Sequence, residues 1–456
     1  MMTRNAMIFV LMMLAAAAGA QNSHVILISV DGLRPEFYKD PSWEMVNLRQ
    51  GLQKGAHSDG VNGVFPSVTY PSHTAMITGQ KPLKHGIYYN TPVETDSITG
   101  KWYWDYKGIK VPTVFDLAKQ KGLVTASVFW PVTLNSAADY VVPEYWYLPK
   151  KKGEERNMLK ALEENATPKG LFAEIQQQAT GKLEPIDFNG DYYGIDDINA
   201  QMACYLIRKH KPALLSLHLV TVDHFEHEQG RDGDKVRTSL TVVDGALRKI
   251  VEATKKAGIY EQTTFIITGD HGFVNIHNAL APNVLLRKAG LYAPNSGDNW
   301  KAYFHASGGA TFLHLKNPAD KATLEKVKSL LAQLPAEQQQ FFKIKTRQQL
   351  DAIGADPNAA LALAAEKGYT FSSDSKGEFI RSAKGGTHGY FPDFKEIQTG
   401  FVAFGKGIRK GAVVPEMNLT DIAPLIAHLL GLQMDAGIDG KLHPQLLNSA
   451  VSITAK

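Results

Sequence analysis

The sequence predicts an α/β fold in which a doubly wound, mostly parallel central sheet is flanked by helices and carries a small α+β insertion. Three features predict it. Short apolar runs at 24–30, 123–129, 213–220, 263–268 and 400–404 alternate with helix-periodic segments such as Val114 to Gln120, Val236 to Ala257 and Leu419 to Leu430. Several runs end on an acid or a histidine, and open parallel sheets hold ligands outside their strands' carboxyl ends. A chain of 456 residues with 44% hydrophobic content can bury a full core and an inserted subdomain.

The first run, His24-Val-Ile-Leu-Ile-Ser-Val30, is a buried-strand pattern that leads directly into Asp31. The run from Ala213 to Val220 delivers Asp223, and His227 follows four residues later on the same face of a helical turn. The third run ends in Thr268-Gly-Asp270-His271-Gly, which sets two ligand side chains side by side. His388 lies in Gly385-Gly-Thr-His-Gly-Tyr390, where glycines let the backbone approach a crowded centre. Taken singly, His227 or His388 reads as an ordinary histidine and Asp31 as a strand-ending turn residue. As an ordered set, three Asp and three His brought together require cations, and two divalent metals would offset the carboxylates and hold the imidazoles neutral. Mixed Asp/His ligation without Cys favours zinc, with manganese and iron as alternatives.

Hydroxyls come from Phe65-Pro-Ser-Val-Thr69-Tyr70-Pro-Ser-His73. With this segment the resemblance becomes specific. Ile28-Ser-Val-Asp-Gly-Leu-Arg34, Phe65 to Gly79, His85-Gly86 with Asn90, Asp223-x-x-x-His227, Gly269-Asp-His-Gly272 and Gly386-Thr-His-Gly389 resemble, in order, the motifs of the nucleotide pyrophosphatase/phosphodiesterase family of the alkaline phosphatase superfamily. The resemblance implies an alkaline-phosphatase-like core with Thr69 as nucleophile. It implies one zinc on Asp31, Asp270 and His271 that also binds the Thr69 oxygen, and a second zinc on Asp223, His227 and His388. It further implies that Asn90 binds a phosphoryl oxygen, assisted by the Tyr70 backbone N–H. A phosphoryl-threonine intermediate follows.

Two divalent cations against three aspartates and a threonine alkoxide give a formally neutral centre, which suits a singly charged diester. Superfamily monoesterases with a threonine nucleophile add a Lys-x-Arg pair near the phosphate. The matching stretch here, Ser127-Val-Phe-Trp-Pro131, has neither charge. The favoured reading is therefore a secreted or periplasmic phosphodiesterase or nucleotide pyrophosphatase. A phosphomonoesterase or phosphonoacetate hydrolase on the same metal frame is the alternative, and a non-catalytic zinc- or partner-binding protein is opposed by the intact nucleophile and ligands. Tyr70, Trp130 and Tyr147 are candidates for gripping the rest of the substrate, and core or rim packing is the competing role for Trp130 and Tyr147. His24, His73, His85, His224 and His277 read as structural, and His224 and Glu226 lie inside the Asp223–His227 clip.

The expected organisation is a signal peptide at 1–20, a catalytic core at 21–276 and 385–456, and an inserted subdomain at 277–384. Arg4, the apolar stretch Ala6 to Ala18 and Ala18-Gly19-Ala20 carry the export reading. A polar stretch at about 148–192 reads as a lid. No later segment is long and apolar enough to span a membrane. A net charge of +4 is small for this length, and with no basic run interleaved with aromatics, Lys150-Lys-Lys152 reading as a solvated loop, it argues for a small-molecule phosphodiester or nucleotide partner over a nucleic-acid surface. The composition gives no sign of oligomeric state. Cys204 is the only cysteine, which excludes an internal disulfide, and it lies in the apolar-periodic Ala200 to Ile207 helix without the Cys-x-Pro-x-Arg setting that a sulfatase-type formylglycine nucleophile needs.

Overall fold

The computed structural model describes residues 23–448, apart from 96–98, 150, 152–153, 191, 295–296 and 298. The expected signal segment lies outside the described residues. An eight-stranded sheet runs through the molecule in the order Val413–Val414, Ala56–Ser58, Phe401–Gly405, Thr263–Thr268, His24–Val30, Leu214–Leu219, Thr125–Val128, Tyr140–Val142. The last five are mutually parallel. Phe401–Gly405 is antiparallel to both of its neighbours.

Alternation along each strand feeds two cores. Ile26, Ile28 and Val30 enter the cluster that contains the helices Tyr192–His210 and Asp234–Lys256. Val25 and Leu27 enter the opposite cluster, with Val114–Gln120 and Ile422–Leu430. Both faces of these strands are covered, so they read as continuous apolar runs rather than as alternating ones. Each fully buried Ile, Leu or Val contributes roughly 1.5–3 kcal/mol. The expected Leu419–Leu430 helix begins as a short 3-10 turn, Leu419–Asp421, opened by a reciprocal cap between Asn418 and Asp421. Pro424 then falls in the first turn of Ile422–Leu430, where its missing N–H costs nothing.

The strand Val274–Leu280 leaves the core and anchors a second sheet, pairing with Gly368–Phe371, Ile380–Ser382 and Gly386–Thr387. Beside it, Phe342–Thr346, Leu361–Ala365, Ala310–Leu315 and Ala302–Ser307 form an antiparallel four-stranded sheet covered by Lys321–Ala332. This region has its own apolar cluster, including Leu280, Phe304, Leu313 and Val327. The chain leaves on Val274 and returns beside it on Thr387, which brings His388 back to the Asp270–His271 corner. The strand crosses the boundary expected at 276/277. Within the stretch read as a lid, Met158, Leu162, Phe172 and Phe188 join the larger core. Cys204 lies buried in Tyr192–His210, and burial pushes its thiol up to about 11. Among the described residues no helix is long and apolar enough to cross a membrane.

The Leu214–Leu219 strand passes into the helix Thr221–Gln229 through a turn tied from the side. The buried Asp196 carboxylate accepts the backbone N–H groups of Val220 (2.7 Å) and Thr221 (3.2 Å). Both donors belong to the start of the helix that carries Asp223 and His227. Asp196→Ala is expected to leave them unsatisfied and to cost about 2–4 kcal/mol. Urea unfolding measures this, and Asp196→Asn, which keeps one acceptor, should fall between.

Candidate active site

The three central strands end in register. Ser29 pairs with His218 on one side and with Thr268 on the other, so Asp31, Asp223 and Asp270 all emerge from the same edge. They form two groups whose ligand atoms lie within 4.8 Å of one another: Asp31, Asp270 and His271, and Asp223, His227 and His388. His271 Nε2 is 3.2 Å from carboxylate oxygens of both Asp31 and Asp270. Asp223 Oδ1 is 3.3 Å from His227 Nε2, 3.5 Å from His388 Nε2 and 4.0 Å from His271 Nε2. The rings of His271 and His388 stack at 3.5 Å between the two groups.

The donor chemistry fits cations. Each of the three imidazoles turns Nδ1 to a backbone carbonyl: His227 to Gly386 (2.9 Å), His271 to Gly272 (3.2 Å) and His388 to Ser67 (3.0 Å). An Nδ1–H donated to a carbonyl leaves Nε2 as a lone pair facing the carboxylates, the state a metal ligand needs. Asp31 Oδ1, Asp223 Oδ1, Asp270 Oδ2 and His271 Nε2 are buried and make no hydrogen bond among the described residues. Without cations the group must share protons. Burial and then the Asp223 charge raise Asp31, and burial and then Asp31 push Asp270 up to about 8. Burial also acts to raise Asp223, but the imidazoles of His227, His388 and His271 outweigh it and hold its carboxyl low. Burial pulls His271 and His388 down.

Close approach of the loops depends on glycine. A Cβ on Gly385 (φ +87°) would lie 2.0 Å from the His227 carbonyl, and one on Gly32 (φ +76°) would lie 2.5 Å from Glu226 Oε2. Glu226, fully buried, turns away from the ligand groups towards Arg34, whose Nε is 3.0 Å from Oε1 without the alignment of a hydrogen bond. Arg34 is itself 1% exposed, pairs with Glu36 at 2.8 Å and lies over the Phe37 ring at 4.2 Å.

Thr69 is the first residue of the helix Thr69–Thr78 and lines a cavity of about 250 Å³ together with Asp31 and Asp223. Asn90 Oδ1 accepts the Tyr70 backbone N–H (2.9 Å), which leaves only Asn90 Nδ2 to donate. The Tyr70 N–H expected to assist a phosphoryl oxygen is therefore already committed. None of the three expected substrate aromatics lines this cavity. Tyr70 is fully buried behind Trp102, ring centroids 5.1 Å apart, with its hydroxyl donated to Glu144 at 3.3 Å. Trp130 follows Phe129 (φ 58°), and that turn presents Phe129 to the cavity and buries Trp130 against His73. Tyr147 alternates with Trp146, so Trp146 faces in while Tyr147 bonds Glu164 over a separate cleft.

Trp102, Phe129, Trp146, Tyr192 and Arg156 form the wall instead. His224 also lines it, stacked on Tyr192 at 3.5 Å. His218 was not singled out by the sequence reasoning. It sits 3.2 Å from Asp31 and 3.4 Å from Glu144, and although burial opposes its charge these two carboxylates hold its pKa well up. A histidine inside an otherwise apolar strand was the available signal for it. Nothing in the sequence marks Glu144.

The central sheet with its ligand edge is the alkaline-phosphatase-like architecture, and the chain superposes on human ectonucleotide pyrophosphatase/phosphodiesterase 5 with a TM-score of 0.66 at 18% identity, over 93% of this chain and 100% of that one. A murine form of that enzyme, inactive and in complex with AMP, is similar at 0.64 and 19%, over 93% and 100%. The family model "Type I phosphodiesterase / nucleotide pyrophosphatase" matches residues 25–391, and the chain belongs to that family. It is 23% identical to venom phosphodiesterase CdcPDE of Crotalus durissus collilineatus over 457 residues, 94% of this chain and 47% of that protein. It is also 23% identical to bis(5'-adenosyl)-triphosphatase ENPP4 of Bos taurus over 433 residues, 91% and 80%. The chain spans about half the length of the venom relatives it matches.

Removing one member of the buried Arg34–Glu226 pair strands the other. Arg34→Met is expected to destabilise the protein by roughly 3–5 kcal/mol. Glu226→Gln, which leaves Arg34 its Glu36 partner, should cost far less, and chemical denaturation of both variants tests the difference.

Proposed function

We propose that this chain is an exported two-zinc phosphodiesterase or nucleotide pyrophosphatase that hydrolyses phosphodiester or phosphoanhydride bonds through a phosphoryl-threonine intermediate. The observation that carries the reading is the pair of three-residue ligand groups beside Thr69. Asp31, Asp270 and His271 would hold one zinc and Asp223, His227 and His388 the other, and when bound the pair would supply Lewis-acid stabilisation to both sides of an in-line displacement.

Thr69 Oγ attacks phosphorus, a bond forms between them, and the alcohol or phosphate leaves from the opposite face. Its place at a helix N-terminus favours the negative charge it must carry. Asn90, its Oδ1 fixed by Tyr70, donates Nδ2 to a non-bridging phosphoryl oxygen, which strengthens as that oxygen gains charge. Water then cleaves the Thr69–phosphorus bond and releases a monoester. Export is supported by the basic-then-apolar N-terminal pattern and the small residues Ala18-Gly19-Ala20. Residues 277–384 act as a subdomain that returns His388 to the centre.

A second reading, the phosphomonoesterase or phosphonoacetate hydrolase, gains support from one observation. Arg156 brings into the cavity a cation that Ser127–Pro131 lacks.

Zinc-replete initial rates on a 4-nitrophenyl monoester and on 4-nitrophenyl thymidine 5'-phosphate separate the two. The expected result is a diester preference of about tenfold or more, and a monoester preference selects the second reading. Thr69→Ala should lose at least about a thousandfold on the diester. Its normal activity would remove Thr69 as nucleophile.

Metal analysis after chelation and reloading should give two zinc equivalents in the parent protein and about one in Asp270→Asn and in Asp223→Asn. His388→Ala should lose activity that excess zinc partly restores. A single equivalent in the parent would remove one ligand group from the reading.

A further inference from the structure

The Thr69 cavity has a metal-ligand floor and a wall of different chemistry. Trp102, Phe129, Trp146 and Tyr192 make the wall aromatic, and such a wall would suit a flat base or a quaternary ammonium. Arg156 breaks that pattern. Its guanidinium lies over the Trp146 ring at 5.1 Å, and Nη2 donates to the Tyr192 hydroxyl at 3.4 Å. A cation already lies over one ring of this wall.

Among the described residues Arg156 makes no ion pair, whereas Arg34, Arg231, Arg347 and Arg381 each hold a carboxylate. The other charge on the wall, Glu144, is engaged by His218 at 3.4 Å and by the Tyr70 hydroxyl at 3.3 Å. Arg156 nevertheless acts inwards: burial and the Glu144 charge push the Tyr70 hydroxyl well up, and Arg156 pulls against them. A half-buried planar fork of donors without an ion pair among the described residues, held on two aromatic residues in a largely apolar wall, is built to receive an anionic oxygen group. Its supports, Trp146 and Tyr192, belong to the wall. Arg156 thus sits with the wall and not within either ligand group.

We propose that Arg156 makes this wall a subsite for a negatively charged substituent on the alcohol side of the substrate, such as a second phosphate, and disfavours a cationic head group there. The proposal rests on the phosphodiesterase reading above.

Esters that share one leaving group test it. Zinc-loaded protein is assayed on the 4-nitrophenyl esters of phosphocholine, of thymidine 5'-phosphate and of thymidine 3',5'-bisphosphate, with 4-nitrophenyl phosphate as the monoester. The expected kcat/KM order is bisphosphate, thymidine, choline. Arg156→Ala should lower the ratio of bisphosphate to thymidine ester by about tenfold or more, and Arg156→Lys should restore part of it. A loss by the same factor on every substrate would mean that Arg156 only supports the wall, and would overturn the proposal. So would a loss selective for the monoester, which would put Arg156 on the transferred phosphoryl group.

If the parent protein turns over none of these esters, the phosphodiesterase reading fails while the subsite can still be decided. Calorimetric titration of thymidine 3',5'-bisphosphate against thymidine 5'-phosphate then serves. A bisphosphate preference that Arg156→Ala removes upholds the subsite, and equal binding overturns it.

Discussion

Three carboxylates and three imidazoles share one largely buried pocket at the edge of the central sheet, and the structure around them is arranged to tolerate that concentration of charge. Isolated buried carboxylates would give up their charge, and Asp31 and Asp270 are already raised towards that state. Cations resolve the conflict only if the ligands present lone pairs and cannot turn away. Backbone carbonyls of Gly386, Gly272 and Ser67 provide this by fixing the three Nδ1 atoms. The Gly32 and His271 N–H groups do the same for Asp270 by donating to its Oδ1 at 3.1 and 3.0 Å. The three imidazoles and Asp270 are thus oriented by main chain, the part of the protein least able to rearrange.

Much of this was legible in the sequence because the ligands follow strands. A parallel strand buried on both faces is a run of aliphatic residues, and its carboxyl end is marked by the first polar residue after the run. Asp31 and Asp270 follow that rule, and Asp223 follows it one turn into a helix. His388 was legible for another reason: the glycines around it are needed where Gly385 passes the His227 carbonyl and Gly389 passes the Ser307 carbonyl. The cavity wall was not legible. Which aromatic faces inwards is decided by single backbone events, a positive φ at Phe129 and the alternation of Trp146 with Tyr147, and these invert a side chain's direction without leaving a compositional trace.

Long-range pairing was equally invisible. His218 stands out only as a histidine in an apolar strand and Glu144 not at all; the approach of their separate segments sets the His218 ring 3.2 Å from Asp31 and 3.4 Å from Glu144. Asp196 ties the start of the Asp223 helix from another helix altogether. Local pattern reports which face of an element is apolar. It does not report which polar side chain from a distant element will satisfy that element's end.

Two arginines show how the same side chain serves different ends in one molecule. Arg34 is sealed beneath the ligand loops, with Glu36 and Glu226 as its partners and Phe37 under its plane, so its charge is spent within the protein. Arg156 stands on Trp146 at the rim with no carboxylate among the described residues, so its charge remains available to something that enters the cavity. The difference follows from where each sits. Arg34 follows the central strand and is surrounded on all sides, whereas Arg156 precedes the helix Met158–Asn165, whose buried face anchors it to the core and leaves its start at the cavity. The centre is fixed by the strand ends, while Arg156 and Tyr192 of the wall come from a different part of the chain. Substitutions at Arg156 or Tyr192 can therefore change what the wall accepts without replacing a residue of the strand ends that carry the ligand groups.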